Sequence, residues 1–345
     1  MAEQFAIEMI KCHGTGNDFV ALDETGQTLI PEPLKAGFTR LVTNRQTGVG
    51  ADGVIFVSAV DDRHPRMRFF NPDGSEAEMC GNGLRCAARL CFEGRFRGND
   101  PLLFHTLGGL FKTENFFSAE HQMPFVRVTT DHVSTNPTHI LASRTTTPFL
   151  SQPFQVGRQT WVGTLLSVGN PHLIVPVPDL RDLDLPALGP AMENHPLFLN
   201  RANVSFVQVV DRQTILVQTH ERGAGLTLSC GTGMTASVVA QVLNGTVHNR
   251  QPVAVHTAGG IVWVTPEVTA TGIRAQLTGN ATWVYQGRID LVAQEDAVRF
   301  ATRAVVEKTH VFQEEAVHYD RLAARTLFDH AILRGTPLER VRPGQ

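Results

Sequence analysis

The strongest constraint on this chain is a short pattern that occurs twice, a cysteine followed by Gly-x-Gly. Cys80-Gly-Asn-Gly83 and Cys230-Gly-Thr-Gly233 each come after a short apolar run that is typical of a β-strand. Each is followed by apolar residues at helical spacing, and the second such run stops at Asn244-Gly245. The pattern therefore predicts two helices, each with a cysteine at its start.

A second landmark, the dipeptide Gly-Asn, repeats in the same order. Gly16-Asn17 precedes Cys80, and Gly169-Asn170 precedes Cys230 at nearly the same separation along the chain. Two landmarks that recur in one order indicate two related halves. The remaining sequence has many short strand-like runs and no regular alternation of strands with helices, so we predict an α+β protein.

A thiol at the start of a helix has distinctive chemistry. The first N–H groups of a helix lack internal partners and carry the positive end of its dipole, so a thiol there loses its proton more readily. Two such thiols on opposite faces of one carbon would suit inversion of a stereocentre, because one removes the α-proton while the other supplies a new one. Two helix starts aimed at the carboxylate of an amino acid would stabilise the carbanion without a cofactor.

Composition limits the other functions to be considered. The chain has 345 residues, 42% hydrophobic and 18% charged, which is sufficient for two globular domains. A net charge of −3 argues against a nucleic-acid or anionic-membrane surface, and no apolar run is as long as a membrane span. The N-terminal residues do not resemble a signal peptide, and the five cysteines lack CxxC or zinc-ligand spacing. We therefore expect a cytoplasmic protein with reduced thiols, no metal, no nucleic-acid partner and no membrane association.

One glycine-rich stretch matches the GxGxxG pattern of dinucleotide-binding sites in its residues but not in its predicted structural context. Gly48-Val-Gly-Ala-Asp-Gly53 leads into Val54–Val57, an apolar run that predicts a strand, whereas a dinucleotide site requires a helix there. We interpret the stretch as a turn. Asn71-Pro-Asp-Gly74 likewise has residues typical of a turn. Cys12 lies in an apolar region and is interpreted as a small buried residue.

Several stretches closely resemble the diaminopimelate epimerase family in order and spacing. They are His13–Phe19, Gly48–Gly53, Phe70–Cys86, Ser167–His172, Asn203–Phe206, Glu221–Gly225 and Cys230–Gly233. The resemblance runs from about Met9 to about Leu291 and is poor between Thr129 and Thr160.

The resemblance implies a fold of two pseudo-symmetric domains, each a strand-rich, barrel-like sheet wrapped around a central helix. We expect residues 1–130 to form the first domain, with residues 283–291 returning to it, and residues 131–282 to form the second. Residues 292–345 have no counterpart in the family pattern. They carry apolar residues at roughly helical spacing, which predicts a helical C-terminal extension that serves assembly or stability.

The resemblance also implies an activity, the cofactor-independent, two-base epimerisation of LL-2,6-diaminopimelate to meso-diaminopimelate. This isomerase would act on a small amino-acid substrate in lysine and peptidoglycan precursor biosynthesis, as a homodimer. One alternative is a related two-cysteine racemase of another amino acid such as histidine, which would alter the residues at the far end of the substrate. Another is a thiol–disulfide redox protein that uses Cys80 and Cys230, although no CxxC supports it.

Matching the family pattern residue by residue assigns roles within the site. Cys80 and Cys230 would be the acid/base pair. The reacting carboxylate would be bound at the two helix starts by Gly81, Asn82, Gly231 and Thr232. The rest of the substrate, mainly its non-reacting end, would be held by Asn17, Asn71, Asn170, Asn203 and Arg222. His172 and Glu221 would lie beside the reacting amine and the thiols, so that Glu221 both contacts substrate and tunes a thiol.

Overall fold

The computed structural model of the protein describes residues 3–294, 297–300 and 306–333. Within these ranges strands outnumber helices, and the α-helices are α1 (Lys35–Thr43), α2 (Gly81–Glu93), α3 (Leu185–Glu193), α4 (Gly231–Leu243) and α5 (Gln313–Ala323). No helix in this part of the chain has the length and apolar character that crossing a membrane would require. The predicted α+β class is confirmed.

The chain folds into two compact units. Of the described residues, the first unit contains those up to Val128 and those from Asn280 to Arg321, and the second contains Thr129–Gly279 and residues 322–333. The sequence-based boundaries, at 130 and 282, differ from these by a few residues.

The strands follow one another in three groups along the chain. The first group is β1 (Glu3–Gly14), β2 (Asn17–Asp23), β3 (Gly53–Ala59), β4 (Pro65–Phe70), β5 (Glu76–Ala77), β6 (Leu102–Thr106), β7 (Gly109–Ser118) and β8 (Met123–Ser134). The second is β9 (Gln152–Val156), β10 (Gln159–Val168), β11 (Pro171–Pro176), β12 (Asn203–Asp211), β13 (Thr214–Glu221), β14 (Gly225–Leu226), β15 (Val253–Thr257), β16 (Gly260–Thr269) and β17 (Gly272–Asn280). The third is β18 (Thr282–Gln294), β19 (Ala297–Phe300) and β20 (Val306–Val311).

In the first unit, the strands pack around α2. The paired order is β4, β3, β2, β1 and β18, in which the β2–β3 pair is parallel and the other pairs are antiparallel. Leu84, Ala87 and Ala88 of α2 are fully buried in the core that these strands line. Cys12 belongs to the same core at 1% exposure, which confirms its interpretation as a buried residue.

In the second unit, eight strands close into a barrel around α4. Successive neighbours are β8, β10, β11, β12, β13, β15, β16, β17 and again β8. Met234, Val238 and Val239 of α4 are fully buried inside it. This is the barrel-like sheet around a central helix that the family resemblance implied.

The two units repeat one sequence of strand pairings. A hairpin (β1–β2, β10–β11) is followed by a parallel pair (β2–β3, β11–β12) and then by an antiparallel pair (β3–β4, β12–β13). A short hairpin then precedes the central helix, and α2 and α4 each have 13 residues. The relation between the halves that the repeated landmarks predicted is confirmed. Gly48–Gly53 leads into β3, as expected for a turn rather than a nucleotide loop.

The C-terminal extension differs from its prediction. β19 and β20 both pair antiparallel with β18 before α5 begins, so the helical prediction for the start of the extension is wrong. The long β18 supplies backbone partners to these segments, and such pairing outweighs helical spacing of a few apolar side chains. The extension is also divided between the units instead of standing apart, since Phe328, Ile332 and Leu333 are buried in the second unit. Residues 295–296, 301–305 and 334–345, also covered by the helical prediction, lie outside the described residues.

Candidate active site

Cys80 and Cys230 occupy the same position in their respective units, the N-cap of the central helix. Both residues have extended backbone, and the Sγ atom of each accepts the N–H of the glycine three residues on, Gly83 or Gly233, at 3.4 Å. An N–H donated to sulfur favours the thiolate, as does the positive end of the helix dipole. The predicted placement of both cysteines at helix starts is therefore found in the structure.

The second glycine of each Cys-Gly-x-Gly pattern permits close packing. A Cβ atom on Gly233 would lie 2.9 Å from Thr219 Oγ1 and 3.0 Å from Ser205 Oγ. In the first unit, a Cβ atom on Gly83 would lie 3.3 Å from Ile55 Cδ1. Each helix start is thus pressed against a strand of its unit, which fixes where the thiol lies.

The partly buried Cys80 thiol lies among amides. Asn17 Oδ1 accepts from Cys80 Sγ at 3.8 Å and from the Asn82 amide at 3.3 Å. The other end of the Asn17 amide donates to Asp52 Oδ2 at 2.8 Å. Because a carboxylate only accepts, Asp52 fixes which end of the Asn17 amide faces the thiol.

Asp52 is a residue that the sequence analysis missed. It is held by Arg45, which donates to Asp52 Oδ1 at 2.7 Å and to Asp18 Oδ1 at 2.7 Å. Burial, and then the charge of Asp18, raise the pKa of Asp52. Burial also opposes ionisation of Asp18, but Lys11 and Arg45 outweigh it and lower the pKa of Asp18 to about 2. The sequence did contain a signal for Asp52, because this acidic residue lies between two glycines in the turn that leads into β3.

The Cys230 thiol is more deeply buried and faces a carboxylate. It is 5% exposed, and burial followed by the charge of Glu221 raises its pKa well above the ordinary value. Thr232 Oγ1, 3.6 Å from Sγ, and the Gly233 N–H act in the opposite direction. Thr227 donates to Glu221 Oε1 at 2.7 Å and so holds the carboxylate in place. The structure therefore brings Glu221, Thr232 and Cys230 together as the family pattern implied.

Arg222 and Asn203 meet at the end of β13. The Arg222 N–H donates to Asn203 Oδ1 at 2.8 Å, and its guanidinium donates to the Asn200 carbonyl at 3.3 Å. Behind this turn, the buried Glu193 accepts from the Gly223 N–H at 3.0 Å. Glu193 also contacts Arg201 at 2.9 Å and His220 Nε2 at 2.8 Å. No sequence pattern marks Glu193, and the sequence analysis missed it.

His172 and Asn170 form a further pair in the second unit. His172 Nε2 lies 2.9 Å from Asn170 Oδ1, and the imidazole is fully buried. Burial, and then the charge of Arg222, lower the pKa of His172 to about 3, so the ring is neutral near pH 7. Among the described residues its Nδ1 atom has no hydrogen-bond partner. A neutral ring that donates from Nε2 has an acceptor lone pair at Nδ1.

Asn71 lies in the hairpin turn between β4 and β5. The turn is closed by the Gly74 N–H, which donates to the Asn71 carbonyl at 2.8 Å, as the sequence Asn71-Pro-Asp-Gly74 predicted. The Asn71 side chain donates to Ser75 Oγ at 3.1 Å. Within the described residues, its side-chain hydrogen bonding stays in this turn and does not join the Asn17–Cys80 group.

The family model for diaminopimelate epimerase matches residues 9–135 and 164–284 of this chain. A diaminopimelate epimerase from Moorella thermoacetica is 38% identical over 285 residues, covering 83% of this chain and 100% of the relative. One from Methanothermobacter thermautotrophicus is 41% identical over 278 residues, covering 80% of this chain and 96% of the relative.

Two solved structures share the fold at low identity. A phenazine biosynthesis protein of the PhzF family from Bacillus anthracis has a TM-score of 0.61 and 15% identity, covering 83% of this chain and 99% of that one. A hydroxyproline epimerase from Agrobacterium vitis has a TM-score of 0.58 and 16% identity, covering 84% and 92%. These likenesses concern the fold alone, whereas the family match and the two sequence relatives show that this chain belongs to the diaminopimelate epimerase family.

Proposed function

We propose that this chain is an isomerase that epimerises LL-2,6-diaminopimelate to meso-diaminopimelate without a cofactor, with Cys80 and Cys230 as the two bases. The observation that carries the proposal is the pair of thiols at equivalent helix starts, each accepting an N–H from its own helix. A thiolate removes the α-proton from one face of the carbon, and the other thiol donates a proton to the opposite face. The roles exchange in the reverse reaction.

The reacting carboxylate would be bound at the two helix starts. Gly81 with Asn82, and Gly231 with Thr232, are the first residues of α2 and α4, where backbone N–H groups lack partners within the helix. Such groups bind anions, and they would stabilise the negative charge that moves onto the carboxylate when the α-proton leaves. This stabilisation takes the place of an electron-withdrawing cofactor.

The burial of Cys230 supports a resting state in which it carries its proton. Burial and Glu221 raise the pKa of this thiol, so it is poised as a proton donor to a carbanion. A substrate ammonium near Glu221 would offset the charge of that carboxylate, which favours the thiolate in the reverse direction. Glu221 would thus contact the substrate and tune the thiol.

The second unit carries the groups that suit the non-reacting end of the substrate. Arg222 can pair with a distal carboxylate, and Asn203, which accepts the Arg222 N–H, sets the position of that residue. Asn170 adds an amide. Beside the reacting amine, the neutral His172 would accept a hydrogen bond from that ammonium at Nδ1. Asn17 and Asn71 would supply amide contacts from the first unit. This set favours diaminopimelate over histidine, which has no distal carboxylate.

The family also supports a cellular setting for this activity. We infer a cytoplasmic homodimer that acts on a free amino acid in lysine and peptidoglycan precursor biosynthesis, without nucleic-acid or membrane partners. Sedimentation of the purified full chain tests the dimer.

A substrate panel tests the assignment of the activity. Purified enzyme without added cofactor should epimerise LL-diaminopimelate, with much lower kcat/KM for lysine and for histidine. Faster racemisation of histidine than of diaminopimelate would overturn the substrate assignment. A dithiol-dependent reductase activity with no epimerisation would overturn the reaction class.

A further inference from the structure

Helix α5 lies outside the family match and yet contacts the helix that Cys80 caps. The family model ends at residue 284, whereas α5 covers Gln313–Ala323. Its residues up to Arg321 belong to the first unit, together with α2 and the strand β1. From the sequence we predicted a role in assembly or stability for this extension. The contacts of α5 instead connect it with the residues around Cys80.

Glu315 of α5 forms a two-pronged ion pair with Arg89 of α2. The two terminal nitrogens of the Arg89 guanidinium donate to the two carboxylate oxygens of Glu315 at 2.6 and 2.7 Å. Glu315 also accepts the backbone N–H of Trp283 at 3.1 Å, and the Arg89 guanidinium lies 4.3 Å from the centre of the Trp283 ring. This geometry fixes both the distance and the orientation between α5 and α2.

Arg89 depends on Glu315 because its side chain is almost fully buried. It is 4% exposed, and its other carboxylate partner, Glu93, is 40% exposed. A buried charge that loses its best partner must move or draw in water. Since Arg89 is on the helix that Cys80 caps, such a movement would displace the thiol.

Tyr319, one helical turn after Glu315, contacts His13 near the end of β1, the strand that leads into the turn before Asn17. Its ring centre lies 4.2 Å from that of His13 in an edge-to-face arrangement, and both residues are buried. His13 Nδ1 accepts the Gly16 N–H at 3.4 Å and so shapes the turn that leads to Asn17. Asn17 in turn accepts from Cys80 Sγ.

We propose that α5 positions the Cys80 thiol, with Glu315 acting through Arg89 on the helix and Tyr319 acting through His13 on Asn17. Both are positioning residues, and the inference rests on the acid/base role proposed above for Cys80. The first contact acts on the helix that carries the thiol, and the second acts on the amide beside the thiol. The extension thereby contributes to the geometry of the reaction in addition to burying surface.

Full-length Glu315→Gln is the principal test, with Glu314→Gln as its matched control. Both variants lose one negative charge from the same turn of α5, but Glu314 is exposed. kcat and KM for LL-diaminopimelate are measured separately, well below the melting temperature of each variant. We expect Glu315→Gln to lower kcat about tenfold or more with KM changed by less than about twofold, because displacement of a reacting group acts on the chemical step. Glu314→Gln should stay within about twofold of wild type in both constants, as surface substitutions do.

A second pair of variants tests the other contact and applies even if Glu315→Gln does not fold. Tyr319→Phe retains the ring on His13, and Tyr319→Leu removes it. We expect Tyr319→Phe to keep a kcat near wild type and Tyr319→Leu to lower kcat several-fold, about as a small misplacement of the thiol would. If the folded variants show lower melting temperatures but a kcat equal to that of Glu314→Gln, the extension is only a stabilising element and the inference is wrong. Cys80→Ala is assayed in parallel to distinguish failure of the α5 inference from failure of the proposed function. If Cys80→Ala were still active, Cys80 would not be an acid/base residue and the proposed function itself would be wrong.

Discussion

The two helix starts have the same backbone geometry but different surroundings. Cys80 is partly buried and lies against the Asn17 amide, whereas Cys230 is buried and lies beside the Glu221 carboxylate. Burial, and then the charge of the Glu221 carboxylate, raise the pKa of the Cys230 thiol. The duplicated fold therefore provides two thiols at matched positions, and the side chains around the two thiols differ.

The same contrast holds at equivalent strand positions. In the parallel pair of the first unit Phe19 lies opposite Gly53, whereas in the second unit His172 lies opposite Asn203. A Cβ atom on Gly53 would lie 2.3 Å from the Phe69 ring, so no larger residue fits there. The first unit fills this position with an aromatic ring, whereas the second unit places two polar side chains there. Under the proposed function, the repeated fold would keep an acid/base thiol in both halves and assign recognition of the non-reacting end of the substrate mainly to the second half.

Removing either thiol should have the largest effect. We expect Cys80→Ala and Cys230→Ala each to lower epimerisation about a thousandfold or more, because neither half can supply both proton transfers. The measurement is the rate of meso product formed from LL-diaminopimelate, with circular dichroism to check folding. Cys91→Ala, which removes a buried thiol from the same helix as Cys80, should retain activity. Near wild-type turnover in either single variant would show that the halves are not used as a pair.

Arg222→Met should have the next largest effect, because it removes the guanidinium proposed to pair with the distal carboxylate of the substrate. A substrate carboxylate left without its partner costs on the order of 2–5 kcal/mol, which is roughly thirty-fold to several thousand-fold in kcat/KM. The advantage of diaminopimelate over lysine should shrink in parallel. Arg181→Met, an exposed change in the same unit, is the control and should leave both substrates unaffected. Equal losses for diaminopimelate and lysine would mean that Arg222 does not recognise the distal carboxylate.

Asp52→Ala should cause a moderate loss of kcat/KM, because it removes the anchor of Asn17 in the first unit. Without Asp52 the Asn17 amide can rotate, so we expect kcat/KM to fall about tenfold, equivalent to about 1.4 kcal/mol. Asp131→Ala, which removes an exposed aspartate paired with Arg274, serves as the control. A variant with unchanged kcat/KM would show that Asn17 does not need this anchor.

Glu221→Gln should shift the titration of Cys230 to lower pH. The Glu221 charge raises the pKa of Cys230, so its removal stabilises the thiolate and the pKa falls. Alkylation of Cys230 by iodoacetamide should therefore begin at lower pH than in the wild type, as followed by peptide mass spectrometry. Glu267→Gln, which removes a partly exposed carboxylate from the same unit, is the control and should leave the Cys230 profile unchanged. A Cys230 profile that stayed in place, or moved to higher pH, would contradict the contribution assigned to Glu221 in raising the pKa of Cys230.

The sequence predicted those features that depend on local chemistry or on repetition. The helix starts at Cys80 and Cys230 and the turn at Asn71–Gly74 follow from residue type and spacing, and the two related halves follow from the repeated landmarks. Asp52 and Glu193 were not found, because their partners lie far along the chain and only folding brings them together. The strands β19 and β20 were missed for a similar reason, since their pairing depends on the length of β18 and not on their own composition.

The central claim, that one thiol from each half acts on opposite faces of the same carbon, is tested most directly by solvent labelling. LL-diaminopimelate is incubated with wild-type enzyme in deuterated water, and the deuterium at the α-carbon of product and remaining substrate is measured at early conversion. A thiol that removes the substrate proton can return that same proton, while the opposite thiol delivers deuterium from solvent. We therefore predict deuterium in the meso product and little in the recovered substrate, with the same asymmetry when the reaction starts from meso-diaminopimelate. Equal early labelling of substrate and product, or an unlabelled product, would contradict the two-base account.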